Sequence, residues 1–441
     1  LENAYNKNPL EMREKYISSL EKLEDLYEEN DQIPNAINQR VKIVQIFENS
    51  YNENPLEMRD KYISRLDYLE HMYVRNGQIS NAIIQRTKIL QIFEYLYNND
   101  QASWMKTSVF DTPAPLLSKN EAGQIALKYF GIKGIAESLV SDRDQNFKIV
   151  DNHQSYILKI SNAAEAYDVL DMQNMAMKHL SATDNNMKLP MAIPSINGDG
   201  IIQIESNGES NWVRLLHYVD GQFLKDVYQS NDSLFELGVF LGKLDFALKG
   251  FNHPASKRPF PWDVCFVDFL KTHHYKNIKD KILVEWFMNQ YEISVLPLDD
   301  QLRKMVIHND GNDYNVLVNK NGKTTGIIDF GDMIYSYVAL EPAVCMAYVA
   351  LDKDKPLHAI SQVLKGFHQS FPLNENELKS VIYLMCLRLC ISMTMASYRQ
   401  SLFPENTYLS VSESPARAFL NRMKSENLAL WSDKLIGCVN A

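Results

Sequence analysis

From His308 to Asn315 the chain reads HNDGNDYN, acids, carboxamides and a histidine gathered around one glycine. The stretch that follows is VLVNKNGKTTGIIDFGD. Val316 to Val318 form a short apolar strand, Asn321-Gly322 is a strong hairpin-turn signal, and Gly326 to Ile328 make the returning strand. In an antiparallel hairpin the start of one strand lies beside the end of the other. Asn315 and Asp329 are therefore expected together at the open end, with Asp310 in the loop just before them. Two carboxylates and a carboxamide oxygen at one mouth make a hard-oxygen site, the kind that holds magnesium through few protein ligands and leaves room for phosphate oxygens.

The spacing narrows the chemistry. Asp310-x-x-x-x-Asn315 has the D-x-x-x-x-N form of a kinase catalytic loop, and Asp329-Phe330-Gly331 spells the metal-binding DFG triplet 329 − 310 = 19 residues later. Loop, hairpin and DFG in this order point to phosphoryl transfer. Polar turn residues, the alternative for all three, would have no reason to keep this register.

Several elements must hold these residues in place. FKIVDNHQSYILKIS (147–161) alternates as a hairpin turning at DNHQS, and GIIQIE and WVRLLHYV are further strands. KNEAGQIALKYFGIKG, capped by Ser118 and stopped near Gly131, is helical, as is DVLDMQNMAMKHLSA. After Asp220-Gly221 the pattern is mostly helical to the end. A small sheet-containing lobe before a large helical lobe predicts a cleft between them.

The first hundred residues are different. YNKNPLEMREKYISSLEKLE from Tyr5 reappears as YNENPLEMRDKYISRLDYLE from Tyr51, and YNND restarts at Tyr97, a period of 51 − 5 = 46 residues. Each unit reads as two helices. Asn8, Pro9 and Glu11 start the first, which carries Tyr16, Leu20, Leu23 and Tyr27 on one face. Asn30-Asp31 and Asn76-Gly77 break the helices, and Ile37, Val41, Val44 and Phe47 stripe the second. LEN at residues 1–3 matches FEN at 47–49 and FEY at 93–95, so the array is expected to continue upstream of residue 1. Leu66, Leu69, Tyr73, Gly77, Ala82 and Phe93 resemble a long variant of the tetratricopeptide pattern. Such repeats serve either as a protein-binding surface or as a packing element.

Bulk properties exclude some functions. The 441 residues suffice for two or three domains, and 45% hydrophobic with 23% charged residues is ordinary for a globular protein. A net charge of −10 speaks against nucleic acid or an anionic membrane as the main partner and permits a cationic substrate. No apolar run approaching about 20 residues and no signal peptide stand out, so a cytoplasmic protein without a membrane span is expected. The five cysteines (265, 345, 386, 390, 438) show no metal or CxxC spacing and are expected as buried thiols.

The segment VIHNDGNDYNVLV…GIIDFGDM closely resembles the aminoglycoside phosphotransferase superfamily, and within it the hydroxylysine kinase-like branch, which includes domains fused to class III aminotransferases. SDRDQNF (141–147), YILKIS, VRLLHYVDG, FNHPASKRPFPWD and NTYLSVSESPA extend the likeness over about residues 115–430. It implies an α+β, bilobal, protein-kinase-like fold preceded by an all-α helical-hairpin repeat segment. The divisions are then 1–100 for the repeats, 101–118 for a linker, 119–219 for the N-lobe and 220–441 for the helical C-lobe. Asp310 would orient the acceptor hydroxyl and take its proton, while Asn315 and Asp329 would hold Mg2+ against the phosphates of ATP. Lys159 would grip the α- and β-phosphates. Leu216 to Val219, with Leu216 and Tyr218 foremost, would offer backbone groups to the adenine. The SDRDQNF loop, including Asn146, would lie over the phosphates in place of a Gly-rich loop.

The likeness also sets a departure. Kinases of this type pair the lysine with a helix glutamate, and Gln173 falls in that position; Asp171 is the other candidate. His308 is expected to brace the loop. Asp332 could support the metal, meet a substrate ammonium or cap a following helix, and Asp313 is a turn acid or a substrate contact. Arg388, Tyr408 and Glu413 lie in stretches resembling the family's substrate side, with packing or surface roles as the alternative. The implied reaction is ATP-dependent phosphorylation of a small amino alcohol or hydroxylated amino acid. An aminoglycoside, a choline-like alcohol or homoserine is the alternative acceptor, and an inactive scaffold with repeat-mediated partner binding the alternative function.

Overall fold

The computed structural model describes residues 9–30, 32–53, 55–88, 108–151, 154–184, 186–206, 208–267, 278–351, 353–406, 409 and 412–440. The chain divides into two compact units, Leu1–Thr107 and Ser108–Ala441.

The first unit holds helices α1 (Pro9–Glu29), α2 (Ile33–Glu53) and α3 (Pro55–Arg75), then helical residues 79–88. Helix α3 starts 55 − 9 = 46 residues after α1, so the structural period is the sequence period. The α3 turn is made by Gly77 at φ 70°, where a side chain would be strained. Tyr16, Leu20, Ile37, Val44 and Phe47 are buried as their stripes require. Leu23 and Val41 are instead exposed. The inward places beside them belong to Glu24 and Arg40, whose side chains pair at 2.8 Å, with the Arg40 guanidinium 4.2 Å from the centre of the Tyr68 ring. One repeat later Arg86 pairs with Glu70 at 2.9 Å. Asn8, Asp31 and Tyr97 lie outside the described residues.

In the second unit α4 (Lys119–Phe130) has a full capping box between Ser118 and Glu121 and ends at Gly131 in the left-handed region. Strands β1 (Ile135–Leu139), β2 (Gln145–Val150), β3 (Ser155–Ile160), β4 (Ala192–Ile193), β5 (Ile202–Ser206) and β6 (Glu209–His217) form one antiparallel sheet, in the order β1-β2-β3-β6-β4 with β5 also on β6. The β2–β3 register sets Asn146 opposite Lys159. Helix α5 (Tyr167–Thr183) is tied to the sheet by the buried Arg214 of β6, which donates to Gln173 Oε1 at 2.7 Å and Asn174 Oδ1 at 3.0 Å. Residues 108–117, expected as linker, run along this unit. Phe110 enters its main core, and the Gln145 amide brackets the Leu117 backbone at 2.7 and 2.8 Å.

Beyond His217 the unit is largely helical. Strand β7 (Gln222–Phe223) joins β9 (Val316–Val318) and β10 (Thr324–Ile327), while β8 (Lys304–Ile307) pairs with β11 (Ile334–Tyr337). The helices are α6 (Asn231–Leu248), α7 (Lys281–Ser294), α8 (Leu340–Val349), α9 (Pro356–Ser370), α10 (Glu375–Leu402), α11 (Glu413–Ser425) and α12 (Leu428–Asn440). Helices α6 and α9 approach so closely that a Cβ on Gly238 would sit 2.0 Å from the Val363 carbonyl oxygen.

Helix α10 corrects one expectation. By length and composition it is apolar enough to cross a membrane, yet 83% of its most apolar stretch is buried among α7, α8, α11 and α12. An apolar helix surrounded on all sides is a core helix. All five cysteines are free; Cys345, Cys386 and Cys390 are buried, but Cys265 and Cys438 are exposed. The architecture is α+β, helices followed by a sheet lobe and a helical lobe.

Candidate active site

The loop 308–315 leaves β8 and enters β9, and the hairpin closes as its sequence predicts. Asn319 N–H bonds to Lys323 O at 2.9 Å, with Gly322 at φ 73°. The connection is thus a three-residue loop with glycine at its left-handed position rather than a two-residue Asn-Gly turn. At the open end Ile328 N–H donates to Asn315 O at 2.9 Å, which places Asp329 beside Asn315.

Two non-glycine residues among those described have positive φ, Asn309 and Asp329, both at 62°. Asn and Asp tolerate this region best, and residues held there concentrate where a site imposes its own geometry. Asn309 is held by its neighbours. Its N–H donates to Glu341 Oε2 at 2.8 Å and its Nδ2 to Asp332 O at 3.2 Å. Glu341 is fully buried, and burial raises its pKa to about 7. Asp245 beside it is also raised, by burial and then by Glu341.

The Asp310 carboxylate is tethered on both oxygens. Its Oδ1 accepts from Asn312 Nδ2 at 2.8 Å and Arg388 Nη2 at 3.3 Å, and its Oδ2 from Asn315 Nδ2 at 2.6 Å. Burial, then the Asp332 charge, push its pKa up, while Arg388 counteracts. His308 braces the loop. It is buried, its Nδ1 accepts the Asp310 N–H at 3.3 Å, and its ring stands edge-on to Phe330 at 4.8 Å. Burial lowers it to about 4, which leaves it neutral near pH 7.

Lys159 lies between two carboxylates, 3.4 Å from Asp329 Oδ1 and 3.7 Å from Asp144 Oδ2. The Lys159 charge, followed by Arg143, pulls Asp329 below the usual carboxylate range. This corrects the expected lysine partner. Gln173 belongs to Arg214, and Asp171 faces His253 at 3.5 Å. The acid near Lys159 comes from the β1–β2 loop, not from the helix.

Asp332 is nearly buried and ion-paired with Arg143 at 2.6 Å. It caps no helix, because β11 follows directly. Arg388 is brought to Asp310 and also donates to Trp262 O at 2.9 Å. Asn146 donates to Ser141 Oγ at 3.2 Å and braces the β1–β2 loop. Leu216 points into the core, whereas Tyr218 is half-exposed under Lys148 Nζ at 4.5 Å. A cavity of about 300 Å³ opens beside this connection, lined by Met187, Leu189, Met191, Tyr218 and neighbours, with neither Asp310 nor Lys159 in its wall. Asp313 is half-buried, with its carbonyl accepting the Lys225 N–H at 3.1 Å. Glu413 forms a helical ion pair with Arg417 at 2.5 Å, and Tyr408 lies outside the described residues.

The donor set suits a magnesium ion. No cluster of three His, Cys, Asp or Glu poised for a metal occurs among the described residues. Magnesium, however, takes one or two carboxylates and fills its remaining positions with water and phosphate oxygens. Asn315 spends its Nδ2 on Asp310, and neither its Oδ1 nor Asp329 Oδ2 accepts a hydrogen bond from the described residues.

A bilobal fold with this loop and DFG turn defines a phosphotransferase, and comparison with known proteins agrees. Residues 136–370 match the profile of the phosphotransferase enzyme family, APH, and the chain belongs to that family. It is 30% identical over 321 residues to a hydroxylysine kinase of Xenopus laevis, covering 66% of this chain and 85% of that protein. The Mus musculus hydroxylysine kinase is 28% identical over 319 residues, with the same coverage. Among solved structures, an amicoumacin kinase and a microcompartment-associated aminopropanol kinase each superpose with a TM-score of 0.56 at 16% identity, covering 71% and 69% of this chain and 97% and 98% of theirs. The chain is a phosphotransferase with an alcohol group as acceptor, acting on a small molecule.

Sequence reasoning did not single out Arg143, Asp144, Arg214, Arg258 and Glu341. Arg258 donates to Met333 O at 2.7 Å and Gly331 O at 3.0 Å, so it fixes the backbone of the DFG turn. The signal for Arg143 and Asp144 was present in SDRDQNF, but only as loop composition. For Arg258 and Glu341 no local pattern exists, because their partners lie 73 to 75 and 32 residues away in the chain.

Proposed function

We propose that the protein is an ATP- and Mg2+-dependent kinase whose acceptor is a hydroxylated amino acid or small amino alcohol, with hydroxylysine-like compounds foremost. The convergence of Asp310, Asn315, Asp329 and Lys159 carries the reading. Asp310 takes the proton of the acceptor hydroxyl, held in place by Asn312, Asn315 and Arg388. Asn315 and Asp329 hold the metal, which when bound neutralises phosphate charge. Lys159 grips the α- and β-phosphates, and Asp144 supports it where Gln173 does not. Residues Leu216 to Val219 face the adenine, and the 141–147 loop lies over the phosphates between the lobes 119–219 and 220–441. The similarity to hydroxylysine kinases supports the choice of acceptor.

The test is a coupled ADP-release assay with Mg-ATP over hydroxylysine, other hydroxy amino acids, amino alcohols, choline, homoserine and aminoglycosides. Asp310→Asn should lower kcat by about 10²- to 10⁴-fold, the usual contribution of a general base. Turnover that is equal in wild type and variant for every acceptor would remove the reading. The repeats of the first unit are proposed as a tetratricopeptide-like protein-binding element, to be checked by capture with the full chain and with a chain lacking residues 1–100. Five free thiols suit a reducing, cytoplasmic compartment.

A further inference from the structure

We propose that Arg143 is a further catalytic residue, a loop arginine that neutralises the phosphoryl group in flight, and that Asp332 positions it. The proposal rests on the kinase reading and adds a charge which that reading does not contain.

Two observations lead to it. First, the loop expected over the phosphates, residues 141–147, is SDRDQNF and contains no glycine. A Gly-rich loop cradles phosphate with bare backbone N–H groups; this one must supply its positive charge from a side chain. Second, the structure aims such a side chain at the site. The loop is pinned on both sides of Arg143. Arg399 Nη1 donates to Asp142 Oδ1 at 2.6 Å, and the Asn162 N–H donates to Asp144 Oδ1 at 3.2 Å. Arg143 then reaches the DFG turn, where Nη2 donates to Asp332 Oδ1 at 2.6 Å. Its guanidinium lies 5.1 Å from the centre of the Phe110 ring.

Its place relative to the metal ligand follows from Gly331. A Cβ there would lie 3.2 Å from Asp329 Oδ1 and 3.3 Å from Arg143 Nη2. Both atoms therefore border one point, and Lys159 stands 3.4 Å from that same Asp329 oxygen. Lys159 pairs with this carboxylate, and the Arg143 charge acts on it through space. Asp332 is the only acceptor of the Arg143 guanidinium among the described residues, which leaves other N–H groups of the fork for a ligand. A planar, permanently charged fork matches phosphoryl oxygens.

In the step itself the acceptor oxygen forms a bond to the γ-phosphorus as the bond to the β–γ bridging oxygen breaks. The electron pair leaves on ADP, and the hydroxyl proton goes to Asp310. Arg143 changes no proton; it holds the charge on the transferring oxygens, and Asp332 fixes its direction without touching the substrate.

The experiment compares wild type with Arg143→Ala, Arg143→Lys and Asp332→Asn. It measures kcat and the KM for ATP by ADP release, and by titration calorimetry the affinity for ADP alone and for ADP with aluminium fluoride and Mg2+. Arginines of this kind contribute about 10³-fold or more. Arg143→Ala should lower kcat by about that factor and weaken the aluminium fluoride complex in parallel, with ADP affinity within about threefold of wild type. Arg143→Lys should recover little, and Asp332→Asn should lose about tenfold in kcat. Arg143→Ala retaining kcat within about threefold, or losing ADP and aluminium fluoride affinity equally, would show a mere lobe fastener and overturn the assignment. A wild-type protein that neither turns over nor binds ADP removes the kinase reading itself and the proposal with it, a result distinct from selective loss in the variant.

Discussion

Both units pair opposite charges, but they do so differently. In the repeats Glu24 and Arg40 face each other at 2.8 Å with side chains 1% and 8% exposed, beside the Tyr68 ring. In the catalytic unit Lys159 and Asp329 stand 3.4 Å apart, and the Asp329 side chain is 43% exposed. Arg388 reaches Asp310 at 3.3 Å, and Asp329 Oδ2 and Asn315 Oδ1 accept nothing from the described residues. A buried pair closed on itself acts as a lock, because separating it strands a charge in a medium of low dielectric constant. A slack cluster with unused oxygens and donors is a site in which ligand charge completes the balance.

Substitutions can break this contrast, and the largest effect should come from the slack cluster. Asp329→Asn should lower kcat by about 10³-fold or more, about 4 kcal/mol of barrier, while the melting midpoint of the unit stays near that of wild type. Equal losses of both would mean that Asp329 is a structural pair like Glu24. Next, Arg40→Ala should destabilise the repeat helices by about 3–5 kcal/mol, the cost of an orphaned buried charge. It would be read by protease resistance of residues 9–88, with wild-type ADP release. Glu24→Leu with Arg40→Met should restore most of the resistance.

A third substitution sharpens the comparison through pH. Glu341 is buried behind the 308–315 loop, and burial raises it from 4.5 to about 7. A carboxyl with a raised folded pKa favours the folded state while protonated. Its contribution is complete below about 4.5 and lost as pH rises through about 7. Glu341→Gln should flatten that dependence and stabilise the unit at pH 8 by about 2 kcal/mol relative to pH 5.5, measured by urea midpoints. The smallest effect should be Gly331→Ala. Its Cβ, near Asp329 Oδ1 and Arg143 Nη2, should displace both slightly and cost about tenfold in kcat, about 1.4 kcal/mol.

Much of this was legible in residue order. The hairpin from Val316 to Ile327 and the α4 caps at Ser118 and Gly131 obey local rules, since turn chemistry and capping act over a few residues. Where sequence reasoning failed, the competing partner was distant. Gln173 sits at the position of the helix glutamate, yet Arg214, 41 residues on, takes it, and a loop aspartate serves Lys159 instead. Leu23 and Val41 fit their helical stripes but lost the interior to a buried ion pair. Asp332 stayed open between metal support, a substrate contact and a helix cap, because nothing nearby announced that a strand follows or that Arg143 would claim it.

The sequence by itself determined the 46-residue helical period, the loop-hairpin-DFG order and the meeting of Asn315 with Asp329, because each is written in spacings no longer than one supersecondary unit. Only the tertiary structure decided which charges meet. Arg143 finds Asp332 across 189 residues, Arg388 finds Asp310 across 78, and Arg258 ties the DFG turn across 73 and 75. Such pairings depend on how distant segments pack, across the two lobes for Arg143 and Asp332 and within the helical lobe for Arg388 and Arg258. A burial that strands a charge costs more than any local preference can supply, so tertiary packing settles the partners and the local pattern does not.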